Sequence, residues 1–147
     1  MAYIEKTDLN RVFVSESRID LITADDNGDP QDYIWEEAVN TAIAYMRGSL
    51  AGRYDVANIF NQTGSNRNNG DGAIVLANTL TVAMWHIYKK VSPDKVPEAI
   101  MQEFESIRLW LKGINEFKIN PDLPVKTLPQ QDQILFGGDT KRNNPSL

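Results

Sequence analysis

Apolar residues recur at helical spacing in three long stretches of this chain. Ile34, Trp35, Ala38, Val39, Ala42, Ile43, Met46 and Leu50 follow intervals of three and four, which predicts a helix from Pro30 to about Tyr54 with one buried face. In residues 73–91 (AIVLANTLTVAMWHIYKKV), Ala73, Ala77, Leu80, Met84, Ile87 and Val91 keep the same period. There Leu76, Val82, Ala83, Trp85 and Tyr88 fill the other faces. A helix apolar on most of its circumference belongs at the centre of a bundle. The third stretch, Pro97 to about Ile119, carries Ile100, Phe104, Ile107, Leu111 and Ile114 on one stripe, widened by Trp110 and Phe117.

Shorter signals fill the N-terminal part. Residues 1–4 are apolar and suited to pack back on the body. Thr7 or Asp8 can cap a first helical piece bearing Leu9, Val12 and Phe13, and Ser15 can cap a second, over SESRIDLI. The run TADDNGDPQD breaks the chain at Asp26, Asn27 and Gly28, and Asp29 with Pro30 then reads as the N-cap and first residue of the long helix. Residues 57–72 (ANIFNQTGSNRNNGDG) read as a polar loop, long for a compact domain. From Asn120, Pro121, Pro124, Pro129 and Pro145 rule out a helix of any length and predict an extended arm. Within it, Ile134-Leu135-Phe136 precedes Gly137-Gly138 like an apolar anchor before a hinge. The expected architecture is all-α. Four to five helices form a small bundle over residues 1–119, with a long polar loop and a C-terminal arm over 120–147.

Composition narrows the function classes. A chain of 147 residues with 41% apolar residues is a single folded domain rather than a disordered one. A net charge of −5 argues against a nucleic-acid module. The chain has no cysteine, which removes disulfides, thiolate metal sites and cysteine nucleophiles. Residues 1–14 carry charges and lack the apolar core of a signal peptide. Asn78, His86, Lys89 and Lys90 interrupt the central stretch, so no membrane span is expected.

No motif points to catalysis. Asp25-x-Asn27-x-Asp29 with Glu36 imitates a calcium loop, but the sixth position, where that loop turns on glycine, is Pro30; a turn followed by a capped helix accounts for the same residues. His86 is the only histidine and has no cysteine or second histidine to share a zinc ion; a packed imidazole is the simpler reading. A Ser-His-Asp arrangement lacks a nucleophile motif. The loop's single basic residue, Arg67, stands without the GxxxxGK[ST] pattern of a phosphate cradle. Core packing accounts for Trp35, Trp85 and Trp110. Disorder alone accounts for the arm's prolines and polar residues but less well for its apolar triplet, which can dock on a neighbour, as an added strand or in a groove. The candidate partner contacts are therefore Arg67 in the loop and Ile134, Leu135, Phe136, Lys141 and Arg142 in the arm. No cofactor or metal is expected.

The chain resembles the small Mu-like phage head–tail connector proteins. The likeness lies in the opening Met-Ala-Tyr-Ile with Thr7-Asp8-Leu9, the segment 19–23 and the acidic turn 25–29. It continues in the helix ending Leu50-Ala51-Gly52-Arg53-Tyr54 and in IRLWLKGI at 107–114, and so covers roughly residues 1–119. The loop at 57–72 is longer than the family's short proline-containing linker, and the arm extends beyond a minimal member. The resemblance implies an all-α adaptor without enzymatic activity. Such subunits form a ring, usually twelvefold, beneath the portal protein of a tailed phage, extend the DNA channel and receive the tail or a stopper protein. It further implies location in the virion, with DNA sliding past without sequence-specific binding. An acidic subunit suits that role, since many phosphate contacts would grip the DNA. Two other classes stay open: another neck or tail-completion protein, and a small calcium- or nucleic-acid-binding regulator.

Overall fold

A computed structural model describes residues 2–11 and 15–127. Val12, Phe13 and the arm beyond Thr127 lie outside the described residues. The protein is all-α, with five α-helices, three short 3-10 turns and no strand among the described residues. The helices are α1 (Glu16–Ile22), α2 (Asp32–Leu50), α3 (Val56–Phe60), α4 (Gly72–Val91) and α5 (Glu98–Asn115).

Helix α4 runs through the middle. Val75, Leu76, Leu80, Val82, Ala83, Met84, Ile87 and Tyr88 are all buried and cover most of its circumference, while Ile74 and Lys89 are exposed on the remaining side. Thr79 and Thr81 are buried with them, and their hydroxyls donate to the carbonyls of Val75 and Ala77 at 2.6 and 3.1 Å, so neither polar group is stranded. Helix α2 lies antiparallel to α4, with Lys90 near the end of α4 paired to Glu37 near the start of α2. It buries Ile34, Trp35, Ala38, Val39, Ala42, Met46 and Leu50, the stripe that the sequence predicts. On another side α5 brings Ile100, Ile107, Leu111 and Ile114 into the core, and its Phe104 stacks on Trp85 of α4, with centroids 4.3 Å apart and planes 6° from parallel. Helices α2, α4 and α5 thus share one core. Trp35 is buried, whereas Trp85 and Trp110 are half-buried.

Several boundaries differ from the sequence expectation, each for a local reason. Ser15 does cap α1, its hydroxyl accepting from the Arg18 amide at 3.2 Å. Asp29 and Pro30 do not start α2. The Asp25 carboxylate accepts from the amides of Asn27 and Asp29 at 2.9 and 3.0 Å, the Asp29 carbonyl accepts from the Asp25 amide, and Pro30 pairs with Ala24. Residues 24–30 therefore close on themselves around Gly28, at φ 87, and the helix begins only at Asp32. It also ends at Leu50, not Tyr54, where the amides of Arg53 and Tyr54 fold back on the Leu50 carbonyl.

The polar loop is a correction of another kind. Residues 57–72 hold most of α3 and the 3-10 turn Gly64–Asn68, because Ile59 and Phe60 find apolar cover and Asp55 caps the Asn58 amide. Helix α5 stops at Asn115, before the expected Ile119. Phe117 takes the left-handed conformation (φ 62), its amide donates to Ile114, and the Lys118 amide reaches the Gly113 carbonyl at 2.9 Å. This is a Schellman end with phenylalanine where glycine is usual. A Cβ on Gly113 would stand 2.7 Å from the Ile119 side chain, so the glycine is what lets residues 117–119 turn back against the helix.

Leu80 and Leu21 test the assignment of faces. Leu80 is fully buried and Leu21 is 73% exposed. Leu80→Ala is expected to lower stability by about 2–5 kcal/mol, and Leu21→Ala by less than about 0.5 kcal/mol, as read from urea denaturation midpoints.

Candidate functional site: the C-terminal strap and the asparagine-rich segment

After α5 the chain does not leave the body. Residues 120–126 run as a strap across the end of the bundle, in the groove between α3 and the start of α4. Leu123 is its apolar foot and is buried. The strap is held mostly through its own main-chain groups, which meet both main-chain and side-chain partners on the body. The Asp71 amide donates to the Asp122 carbonyl at 2.9 Å, and the Asp122 amide returns a bond to the Asp71 carboxylate at 2.6 Å. The Asp55 amide donates to the Pro124 carbonyl at 2.8 Å, Lys126 donates to the Arg53 carbonyl, and the Tyr54 hydroxyl reaches the Pro121 carbonyl at 3.2 Å. The strap thus satisfies amides at the start of two helices, where no intrahelical partner exists. Gly70, at φ 56, allows the close approach: a Cβ there would sit 2.5 Å from the Asp122 carbonyl oxygen.

Arg53 joins the strap to α5. Its guanidinium donates to the carbonyls of Ile114 and Ile119 at 2.7 and 3.2 Å and to the Asn120 side chain at 2.8 Å. It lies over the rings of Phe117 and Tyr54, 4.3 and 5.2 Å from their centroids. A cation placed at a helix C-terminus is favoured by charge as well as by hydrogen bonding.

Arg67 holds the other side of the segment. It forks onto the Asp8 carboxylate, with Nη1 at 2.6 Å and Nη2 at 3.0 Å. It also donates to the carbonyls of Tyr3 and Gly64 at 2.7 and 2.8 Å. Both side chains are at most 10% exposed. The hydrogen bond and charge of Asp8 raise the guanidinium pKa still further, so Arg67 stays charged at any pH of interest. Asp8 itself sits inside the 3-10 turn Lys6–Arg11 rather than capping it, and its carboxylate also accepts from the Glu5 amide at 2.8 Å. Between Arg67, the strap and Tyr3 lies a cavity of about 90 Å³, whose polar lining is the amides of Asn58, Gln62, Asn66 and Asn69.

Of the residues singled out as candidate contacts, Arg67 is turned inward onto the N-terminal segment. Ile134, Leu135, Phe136, Lys141 and Arg142 lie outside the described residues. Arg53, Asp71 and Asp122 were not singled out from sequence. The one signal available was an arginine placed just after a helix end, which is a common position for a carbonyl-binding cation.

Chemistry elsewhere is sparse. His86 stands with Glu37, Lys89 and Lys90 at a cleft between α2 and α4, in edge contact with Trp85. Its Nε2 is buried without a hydrogen-bond partner among the described residues, and burial pushes the imidazole below its ordinary pKa. The Asp25 carboxylate is occupied by main-chain amides, and no three His, Asp or Glu side chains converge on a metal-sized site among the described residues. No described helix is long and apolar enough to cross a membrane. Leu21, Tyr33, Ile74, Met101, Leu109, Phe117 and Val125 are exposed. Compared with protein-family models, curated proteins and solved structures, the chain matches none of them.

The Arg67–Asp8 pair yields a direct test. Arg67→Met takes the guanidinium away from a buried carboxylate and is expected to lower stability by about 3–5 kcal/mol, whereas the double variant D8L/R67M recovers part of the loss. Chemical denaturation of the three proteins checks the pattern.

Proposed function

We propose that this chain is a structural head–tail connector subunit of a tailed phage, without enzymatic activity. In this reading copies of it form a ring beneath the portal protein, extend the DNA channel and present a surface to the tail or a stopper protein. DNA passes through the ring without being read, and the protein resides at the neck of the virion. The reading starts from the resemblance of residues 1–119 to the Mu-like connector proteins, and the all-α bundle is the architecture that the resemblance implies.

The observation that carries the reading furthest is the strap. Because residues 120–126 are bonded to the body, the chain reaches Thr127 at a fixed place on the bundle's end. The 20 residues that follow (147 − 127) include Ile134-Leu135-Phe136 and start from that place. Such an arrangement, a body with a contact segment issuing from a defined point, suits a ring subunit that clasps its neighbours. The internal commitment of Arg67 and Arg53 fits the same role, since neither guanidinium is left to hold a phosphate.

Quantitative mass spectrometry of purified particles, normalised to the portal protein, checks the proposal. The expected result is about one copy per portal subunit, the ratio a matched ring requires. Absence from the particle would sink it.

A further inference from the structure

Asparagine followed by glycine occurs twice in the chain, at Asn27-Gly28 and Asn69-Gly70. This dipeptide is the one most open to self-modification, because no side chain on the second residue hinders attack by its main-chain nitrogen. Both asparagines are exposed, yet the structure treats the two pairs differently. The Gly28 amide donates to the Asp25 carbonyl at 3.0 Å, and the Asn27 amide is held by the Asp25 carboxylate at 2.9 Å. The nitrogen that would attack is therefore engaged, inside a turn closed from both ends. The Gly70 amide has no acceptor among the described residues.

We propose that Asn69-Gly70 is a site of spontaneous intramolecular deamidation, favoured over Asn27-Gly28 by its free amide, and that the product loosens the latch between Asp71 and Asp122. In the first step the Gly70 nitrogen gives up its proton to solvent base and attacks Cγ of Asn69. The new C–N bond closes a five-membered succinimide as ammonia leaves. Water then opens the ring. Attack at Cγ restores the main chain and leaves aspartate; attack at the α-carbonyl leaves isoaspartate, with the main chain routed through the side-chain carbon. The sum is one water consumed and one ammonia released.

Both products strike the latch. A carboxylate at 69 joins those of Asp71 and Asp122, and the Asp122 carboxylate already lies against Gly70, 2.9 Å from where a Cβ would stand. Isoaspartate also inserts a methylene into the main chain next to Gly70, which fits against Asp122 only because it has no side chain. The mutual bonds between Asp71 and Asp122 span this point. The inference is independent of the connector reading, since it rests on main-chain chemistry and the strap alone.

The test is to age the full-length folded protein at mildly alkaline pH and locate the products by tandem mass spectrometry of its peptides, with isoaspartate separated by chromatography. Conversion at Asn69 is expected to run several-fold ahead of Asn27, and the preference should vanish in strong urea, where both pairs are unfolded. Hydrogen exchange at the Asp71 and Asp122 amides should be faster in the aged protein and in N69D, and unchanged in N69Q, which blocks the five-membered ring. Conversion at Asn27 matching or exceeding that at Asn69 in the folded chain would overturn the site. Unchanged exchange at the two amides after conversion would overturn its effect on the latch.

Discussion

Helix α4 has to be covered over most of its circumference, and most of the architecture answers that constraint. A one-sided helix needs a single partner, but one with Val75, Leu76, Leu80, Val82, Met84 and Ile87 spread around its axis needs a sleeve. Two long helices supply part of it, each with an apolar stripe of its own. Short pieces add to it: the first 3-10 turn and the turn before α4 both pack on α4, and Tyr3, Phe60 and Leu123 are buried in the same core. Removing such apolar area from water is worth about 25 cal/mol per Å², which is why even a mostly polar segment folds down to bring in one or two apolar residues.

Short covers bury too little to hold themselves, and here charged groups take over. Arg67 ties the turn before α4 to the N-terminal segment. Arg53 ties the end of α2 to the end of α5, and Asp71 ties the start of α4 to the strap. A buried ion pair contributes little net stability, but separating its members strands a charge in a poor solvent. Such staples act by penalising wrong arrangements of the covers.

The sequence was legible where one element decides its own fate. The stripe of α2, the burial of most of α4 and the Ser15 cap follow from spacing or from residues three apart, although Ala73, Ala77 and Val91 of the expected α4 stripe are not buried. Legibility failed where two local rules competed. Asp25 and Asp29 are equally good captors of main-chain amides, and the hairpin closed by Asp25 won over the helix cap expected of Asp29. Phe117 carries an ordinary helical pattern past α5, but Gly113 and Ile119 favour the turn back. It failed altogether for contacts at long range. Arg53 meets Ile114 across 61 positions and Arg67 meets Asp8 across 59, and nothing local in either neighbourhood names the partner. For the same reason residues 57–72 read as a polar loop, although Ile59 and Phe60 make a helix worthwhile once Tyr3 is in place.

The proposed division of labour is a closed bundle that ends in a fixed strap and a contact segment that starts beyond it. Site-specific photo-crosslinking from position 136 in assembled particles reads that division directly. A crosslink from this position to a second copy or to the portal protein is the expected result. Crosslinks confined to the subunit's own bundle would contradict the account, because the segment beyond the strap would then be one more cover for the core.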